Sequence, residues 1–223
     1  MFKAVIFDLY ETLVTQSRTV VPRGGALGES LGLDPGAYRR EWKKLRPHIL
    51  RGQLTFQQAL VEIGARLGSA IPAERLQRAS DERARANAEV FQKIDAGVVA
   101  LARAVFDRGI RMATISNCMA EDVVAWPASV LAAQFSCAVF SFEAGVVKPD
   151  ARIYLNALEQ LGVRAQDALY VGDGGDDELA GAERAGLRAA RAAWYVSEGS
   201  PSPVPSFASP RDALRFIAQG VVR

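Results

Sequence analysis

Apolar positions fall along this chain in two textures. Phe2, Ala4, Val5, Ile6 and Phe7 form a nearly continuous run of strand length, as a strand buried on both faces of a sheet requires. Between residues 35 and 90 the spacing becomes helical, as in Phe56, Ala59, Leu60, Ile63 and Leu67, in a background rich in Arg, Glu, Gln and Ala. Thr55 with Gln58 has the form of a capping box, and Asp34-Pro35 and Ile71-Pro72 mark two further helix starts. No β-type alternation interrupts this block, which predicts a separate helical unit.

From about residue 95 strands and helices alternate. The pattern predicts a helix over Val98–Phe106, a strand over Met112–Ile115 ending at Ser116-Asn117, and a short strand over Ala138–Phe140. A helix over Ile153–Leu161 closes at Gly162, and a strand over Ala168–Val171 runs into Gly172-Asp173. A helix over Leu179–Ala185 closes at Gly186, and Ala189–Trp194 reads as the last strand. The Ser- and Pro-rich residues 197–210 read as a surface loop, before an amphipathic helix carrying Leu214, Phe216 and Ile217. Such alternation implies an α/β fold with a parallel, doubly wound sheet.

Composition narrows the function classes. The 223 residues are 49% hydrophobic and 23% charged with a net charge of +2, an ordinary globular balance. That charge gives no electrostatic case for nucleic acid or an anionic membrane as partner. Cys118 and Cys137 make neither a disulfide framework nor a zinc site, and His48, the only histidine, has no neighbouring acid for a nucleophilic triad. Met1-Phe2-Lys3 leads straight into the first strand with no apolar leader, so the cytoplasm is the expected location.

In a doubly wound sheet, ligands bind beyond the carboxyl ends of the strands. Polar groups stand at three expected strand ends: Asp8, Ser116-Asn117 and Asp173, with Lys148 following the strand at 138–140. Asp8 can attack an electrophilic centre, Thr12 and Ser116 can hold the oxygens of a phosphate or carboxylate, and Lys148 can balance the charge. The run Gly172-Asp173-Gly174-Gly175-Asp176-Asp177-Glu178 packs four carboxylates into one loop, for which a hard divalent cation is the natural neutraliser.

These residues, in this order, resemble the haloacid dehalogenase-like superfamily. Its four motifs correspond to Phe7-Asp8-Leu9-Tyr10-Glu11-Thr12, Ile115-Ser116-Asn117, Lys148-Pro149-Asp150, and Val171-Gly172-Asp173 with its trailing acids. The resemblance implies a Rossmann-like core over 1–14 and 92–223 with an inserted α-helical cap over 15–91, and an aspartyl-enzyme intermediate. It implies Asp8 as nucleophile, Thr12 and Ser116 binding the transferred group, and Lys148 orienting Asp8. Mg²⁺ would be held by Asp8, Asp173 and the backbone carbonyl of Tyr10, with Glu178 as second acid and Asp177 competing for that place. Tyr10, Glu11 and Asn117 are expected to line a small anionic substrate, in a monomer or homodimer.

The sequence departs from the family's phosphatases at Tyr10, where they carry a proton-shuttling aspartate. A phenol with an ordinary pKa of about 10 shuttles protons poorly at neutral pH. Tyrosine there is typical of the family's metal-independent 2-haloacid dehalogenases, yet these typically replace Asp173 with a neutral residue. The first motif thus reads as a dehalogenase and the last as a phosphatase. The sequence favours the Mg²⁺-dependent phosphatase, leaving dehalogenation and a non-catalytic binding protein as alternatives. Glu11 stands where glycine is commonest, a modest strain if its φ is negative.

Overall fold

The computed structural model describes residues 1–16, 24–196 and 202–220. Residues 17–23 of the expected cap and 197–201 of the Ser/Pro segment lie outside the described residues. Six parallel strands form one sheet: β1 (Ala4–Asp8), β2 (Arg111–Ser116), β3 (Cys137–Phe140), β4 (Ala168–Gly172), β5 (Arg188–Ala192) and β6 (Ser206–Phe207). Their order is β3-β2-β1-β4-β5-β6, with β1 central.

The helices are α1 (Gly25–Ser30), α2 (Pro35–Leu50), α3 (Phe56–Arg66), α4 (Ala73–Gln92), α5 (Ala96–Phe106), α6 (Ser141–Ala144), α7 (Ala151–Leu161), α8 (Glu178–Arg184) and α9 (Pro210–Gln219). Two apolar layers flank the sheet. Val5 and Phe7 pack with Leu101 and Val105 of α5 and Ile217 of α9, while Ala4 and Ile6 pack with Ile153 and Ala157 of α7 and Ala182 of α8. β1 is therefore covered on both sides, which is why its sequence shows no alternation. Each large apolar side chain so buried contributes about 1.5–3 kcal/mol.

Two local readings change. Ala189–Trp194 is not the last strand: β6 arises inside the Ser/Pro segment and pairs Ser206 with Arg191 and Phe207 with Ala192. Pro203 and Pro205 remove backbone donors and mask a strand signal only two residues long, while Phe207 is fixed by packing on Phe216 at 5.2 Å. Helices α1 and α6 were also unforeseen, because six and four residues are too few to display a helical period.

Helices α1–α4 gather Leu27, Tyr38, Leu45, Ile49, Phe56, Leu60 and Ile63 into a cluster of their own. Asp34 caps α2 through Ala37 N–H, and Thr55 with Gln58 closes the expected box on α3. Side chains are exchanged between this cluster and the sheet's core. Met119, from the loop after β2, joins the helical cluster, and Val90 and Phe91 of α4 join the sheet's core. Buried Asp122 adds a polar tie, bonded to Arg83 at 2.6 Å and Asn87 at 2.9 Å. Gly52 (φ 66°) lies so close to α6 that a Cβ there would collide with the Phe142 carbonyl oxygen. Among the described residues no helix is long and apolar enough to cross a membrane.

Candidate active site

In an open parallel sheet the binding crevice opens where the strand order reverses, here beside β1. Asp8 ends β1, Ser116 ends β2 and Asp173 follows β4, so three strand ends converge there. Lys148 reaches in from the loop after α6. Its Nζ is paired with Asp8 Oδ1 and, at 2.5 Å, with Glu178 Oε2. It also donates to the Tyr170 hydroxyl at 3.2 Å, which in turn donates to Glu178 Oε2 at 2.6 Å. Asp8, Lys148 and Glu178 are all buried.

One ammonium faces three carboxylates, since oxygens of Asp8, Asp173 and Glu178 lie within 4.8 Å of one another. Burial, followed by the Glu178 charge, pushes the Asp8 carboxyl up to about 8 against the pull of Lys148. Burial and Glu178 also raise Asp173 to about 6, against a stabilising 3.0 Å bond from Gly175 N–H. Burial works against the Lys148 ammonium, but Asp8 and Glu178 outweigh it and hold it charged. An all-oxygen, anionic donor set in excess of its counter-charge is the chemistry that suits a hard divalent cation.

The backbone after β4 decides which acids take part. Asp176 (φ 53°) and Asp177 (φ 55°) are both left-handed. The turn sends Asp177 outward to Arg184 at 3.1 Å and Asp176 to Asn117 Nδ2 at 2.9 Å. Glu178 points inward, where Gly174 N–H donates to its Oε1 at 3.0 Å. A Cβ on Gly172 would collide with that same oxygen, so glycine at the end of β4 is what admits the carboxylate. Of the two rival acids, Glu178 joins the cluster and Asp177 does not.

The loop after β1 is less open than its sequence suggests. The Thr12 hydroxyl is buried without a partner, while the Thr12 carbonyl accepts from Trp194 Nε1 at 2.9 Å. Tyr10 donates its hydroxyl proton to the Asp122 carbonyl at 2.5 Å. Glu11 adopts φ 57°, not a negative value, a conformation costing about 1–2 kcal/mol for a side chain with a Cβ. Its carboxylate offsets this by accepting from Thr15 Oγ1 at 2.7 Å and Gln16 N–H at 2.9 Å. Asn117 clamps the Lys148 main chain, accepting from its N–H at 2.8 Å and donating to its carbonyl at 3.1 Å. Ser116 is buried and hydrogen-bonded with the Cys118 side chain, whose thiol burial drives far above its ordinary range. His48 is exposed, and its Nδ1 is hydrogen-bonded with Gln53 Oε1 at 2.6 Å.

Several groups near the site escape sequence reasoning. Asp122 holds Tyr10, Arg83 and Asn87 together. Tyr38, Trp42, Arg46 and Arg83 line a cavity of about 210 Å³ above the loops that follow β1 and β2. Only the i, i+4 spacing of Tyr38 and Trp42 hints at this in the sequence, since it puts both on one face of α2.

Comparison with known proteins places this architecture. A family model of haloacid dehalogenase-like hydrolases matches residues 2–186. A glyceraldehyde 3-phosphate phosphatase of Methanopyrus kandleri is 47% identical over 49 residues, a stretch that is 22% of this chain and only 21% of that relative. The fold superimposes on a 2-haloacid dehalogenase of Pseudomonas syringae pathovar tomato with a TM-score of 0.75 at 24% identity, over 99% of this chain and all of the other. A phosphatase of Thermococcus onnurineus gives a TM-score of 0.67 at 16% identity, over 96% and 97%. Identities this low establish a shared fold and leave the substrate open.

Proposed function

The chain belongs to the haloacid dehalogenase-like hydrolases, and on that premise we propose that it is a Mg²⁺-dependent phosphatase of a small phosphorylated metabolite. The observation that carries this reading is the excess of carboxylate over ammonium at Asp8, Asp173 and Glu178, with Asp8 and Asp173 held well above their ordinary values. A cation relieves that excess, whereas a 2-haloacid carboxylate would add to it. Asp8, Asp173, Glu178 and the Tyr10 carbonyl would hold Mg²⁺, which when bound would supply positive charge to balance the phosphoryl oxygens.

Asp8 attacks phosphorus, the bond from phosphorus to the leaving oxygen breaks, and an aspartyl phosphate forms. The unpartnered Thr12 hydroxyl and Ser116 bind phosphoryl oxygens, and Lys148 keeps Asp8 aimed and its charge balanced. Water then attacks the same phosphorus, the bond from phosphorus to the Asp8 oxygen breaks, and the water's proton leaves on the released phosphate. Tyr10 commits its proton to Asp122 and Glu11 is held by its own loop, so neither protonates the leaving oxygen. Substrates with acidic leaving groups are therefore the fastest. Helices α1–α4 act as the cap that selects the substrate.

Tyr10 favours a second reading, metal-independent dehalogenation, because halide leaves without a proton. The two readings separate in one experiment that offers 4-nitrophenyl phosphate and 2-chloropropionate with Mg²⁺ or with chelator. The phosphatase reading expects phosphate release that needs Mg²⁺ and disappears in Asp8→Asn and Asp173→Asn. Halide release insensitive to chelator, with no phosphate released, would overturn it.

A further inference from the structure

We propose that Tyr170, in the core of β4, is a positioning residue of the active site: its hydroxyl is the third acceptor of the Lys148 ammonium and fixes the direction from which Lys148 holds Asp8. The proposal rests on Asp8 as the nucleophile of the reading above, and is indifferent to whether Asp8 attacks phosphorus or carbon.

An ammonium carries three N–H donors and no acceptor. The structure gives Lys148 Nζ three acceptors: Asp8 Oδ1, Glu178 Oε2 at 2.5 Å and the Tyr170 hydroxyl at 3.2 Å. The Tyr170 hydroxyl donates its own proton to Glu178 Oε2 at 2.6 Å, which closes a ring of hydrogen bonds through Lys148, Tyr170 and Glu178. Two of the three bonds from Lys148 lie in that ring, and the third points at the nucleophile. Turning the ammonium away from Asp8 therefore breaks the ring, and in buried surroundings such bonds to charged groups are strong.

Packing accounts for the ring of Tyr170 and not for its hydroxyl. The ring stands edge-on to Tyr154 at 5.3 Å, with Lys148 Nζ over its face at 6.0 Å from the centroid. Phenylalanine would make both contacts equally well. A buried hydroxyl is costly unless hydrogen-bonded, and this one is bonded to two charged groups of the site. Its supports are fixed as well. Tyr170 is in register with Ile6 of β1, two residues before Asp8, and the Glu178 main chain is held by the Tyr154 hydroxyl, which donates to its carbonyl at 2.9 Å. In the sequence Tyr170 lies inside the apolar run Ala168-Leu169-Tyr170-Val171 and carries only the signature of core.

The test compares the wild type with Tyr170→Phe, which keeps the ring and removes one acceptor of Lys148 and one donor to Glu178. With 4-nitrophenyl phosphate and saturating Mg²⁺, kcat is expected to fall about tenfold or more with KM within about twofold, since the aim of Asp8 acts in the transition state and not in ground-state binding. Unchanged constants, or a raised KM at unchanged kcat, would overturn the proposal. The second readout needs no turnover. Lys3, Lys43, Lys44 and Lys93 are exposed, so in metal-free protein carrying isotope-labelled lysine the slowly exchanging ammonium in the NMR spectrum is that of Lys148, identified by its loss in Lys148→Met. In the wild type its protons should show a nuclear Overhauser effect to the Tyr170 ring, and in Tyr170→Phe they should exchange with water about tenfold faster. A wild type without that Overhauser effect, a result that requires no variant to fold, or exchange unmoved by Tyr170→Phe, would equally overturn it. Absence of phosphate release by the wild type would sink the phosphatase reading alone. The kcat and KM comparison then moves to 2-chloropropionate, and the ammonium signal decides the Tyr170 contact in either case.

Discussion

Lys148→Met removes the one ammonium that Asp8 and Glu178 share while keeping a side chain of similar length. With the counter-charge gone, one more carboxyl of the pair must take up a proton to remain buried. Ordinary carboxyl values lie near 4, so at pH 7 that proton is held about 2.5–3 pH units against its preference. At about 1.4 kcal/mol per unit the cost is about 3–4 kcal/mol. This agrees with the ~3–5 kcal/mol typical of breaking a buried ion pair. For a chain of this length the melting temperature should fall by about 6–16 °C. The variant carboxyl has a folded pKa raised above its unfolded value, so its stability is present at low pH and lost as pH rises. The deficit relative to wild type therefore shrinks by about 1.4 kcal/mol for each unit that pH falls from 7 to 5. Urea denaturation of both proteins at pH 5, 6 and 7, in chelator so that no cation replaces the ammonium, measures it. A deficit below about 1 kcal/mol at pH 7, or one that does not change with pH, would refute the cluster as a coupled charge system.

Other consequences follow from the same geometry. Because Asp8 titrates near 8 and Asp173 near 6, folded metal-free protein binds protons that the unfolded chain has already lost, and its stability falls as pH rises through those values. Mg²⁺ must displace the same protons, so its apparent affinity should drop about tenfold per unit from pH 8 to 6 and more steeply below, as read by thermal shift with and without Mg²⁺. Tyr10→Asp supplies the missing acid, and should raise the rate on alkyl phosphates by about 10²-fold or more while changing 4-nitrophenyl phosphate hydrolysis far less; equal gains on both would argue against a proton-transfer defect. Gly52→Ala forces a Cβ into the Phe142 carbonyl and into a left-handed backbone, and should cost about 1–3 kcal/mol by urea titration; an unchanged midpoint would show that α2 and α6 part freely.

Much of this protein is written locally. The strands over residues 4–8, 111–116 and 168–172, the capping box at Thr55 and the glycine stop at Gly162 depend on neighbours within a few residues, so period and turn chemistry reveal them. Asp8, Ser116 and Asp173 are legible for the same reason, each standing at the end of a readable strand. What remained hidden depends on contacts between distant segments. Strand β6 exists only because β5 offers its edge and Phe216 its ring. The choice of Glu178 over Asp177 is made by two left-handed residues and by the space above Gly172, neither of which has a sequence period. The commitment of Tyr10 to Asp122, 112 residues away, cannot be inferred from the first motif. Sequence alone determined the sheet, the helical block and a carboxylate at a strand end. Tertiary structure decided the charge balance around Asp8, because burial sets the strength of each charge and only folding decides what is buried together.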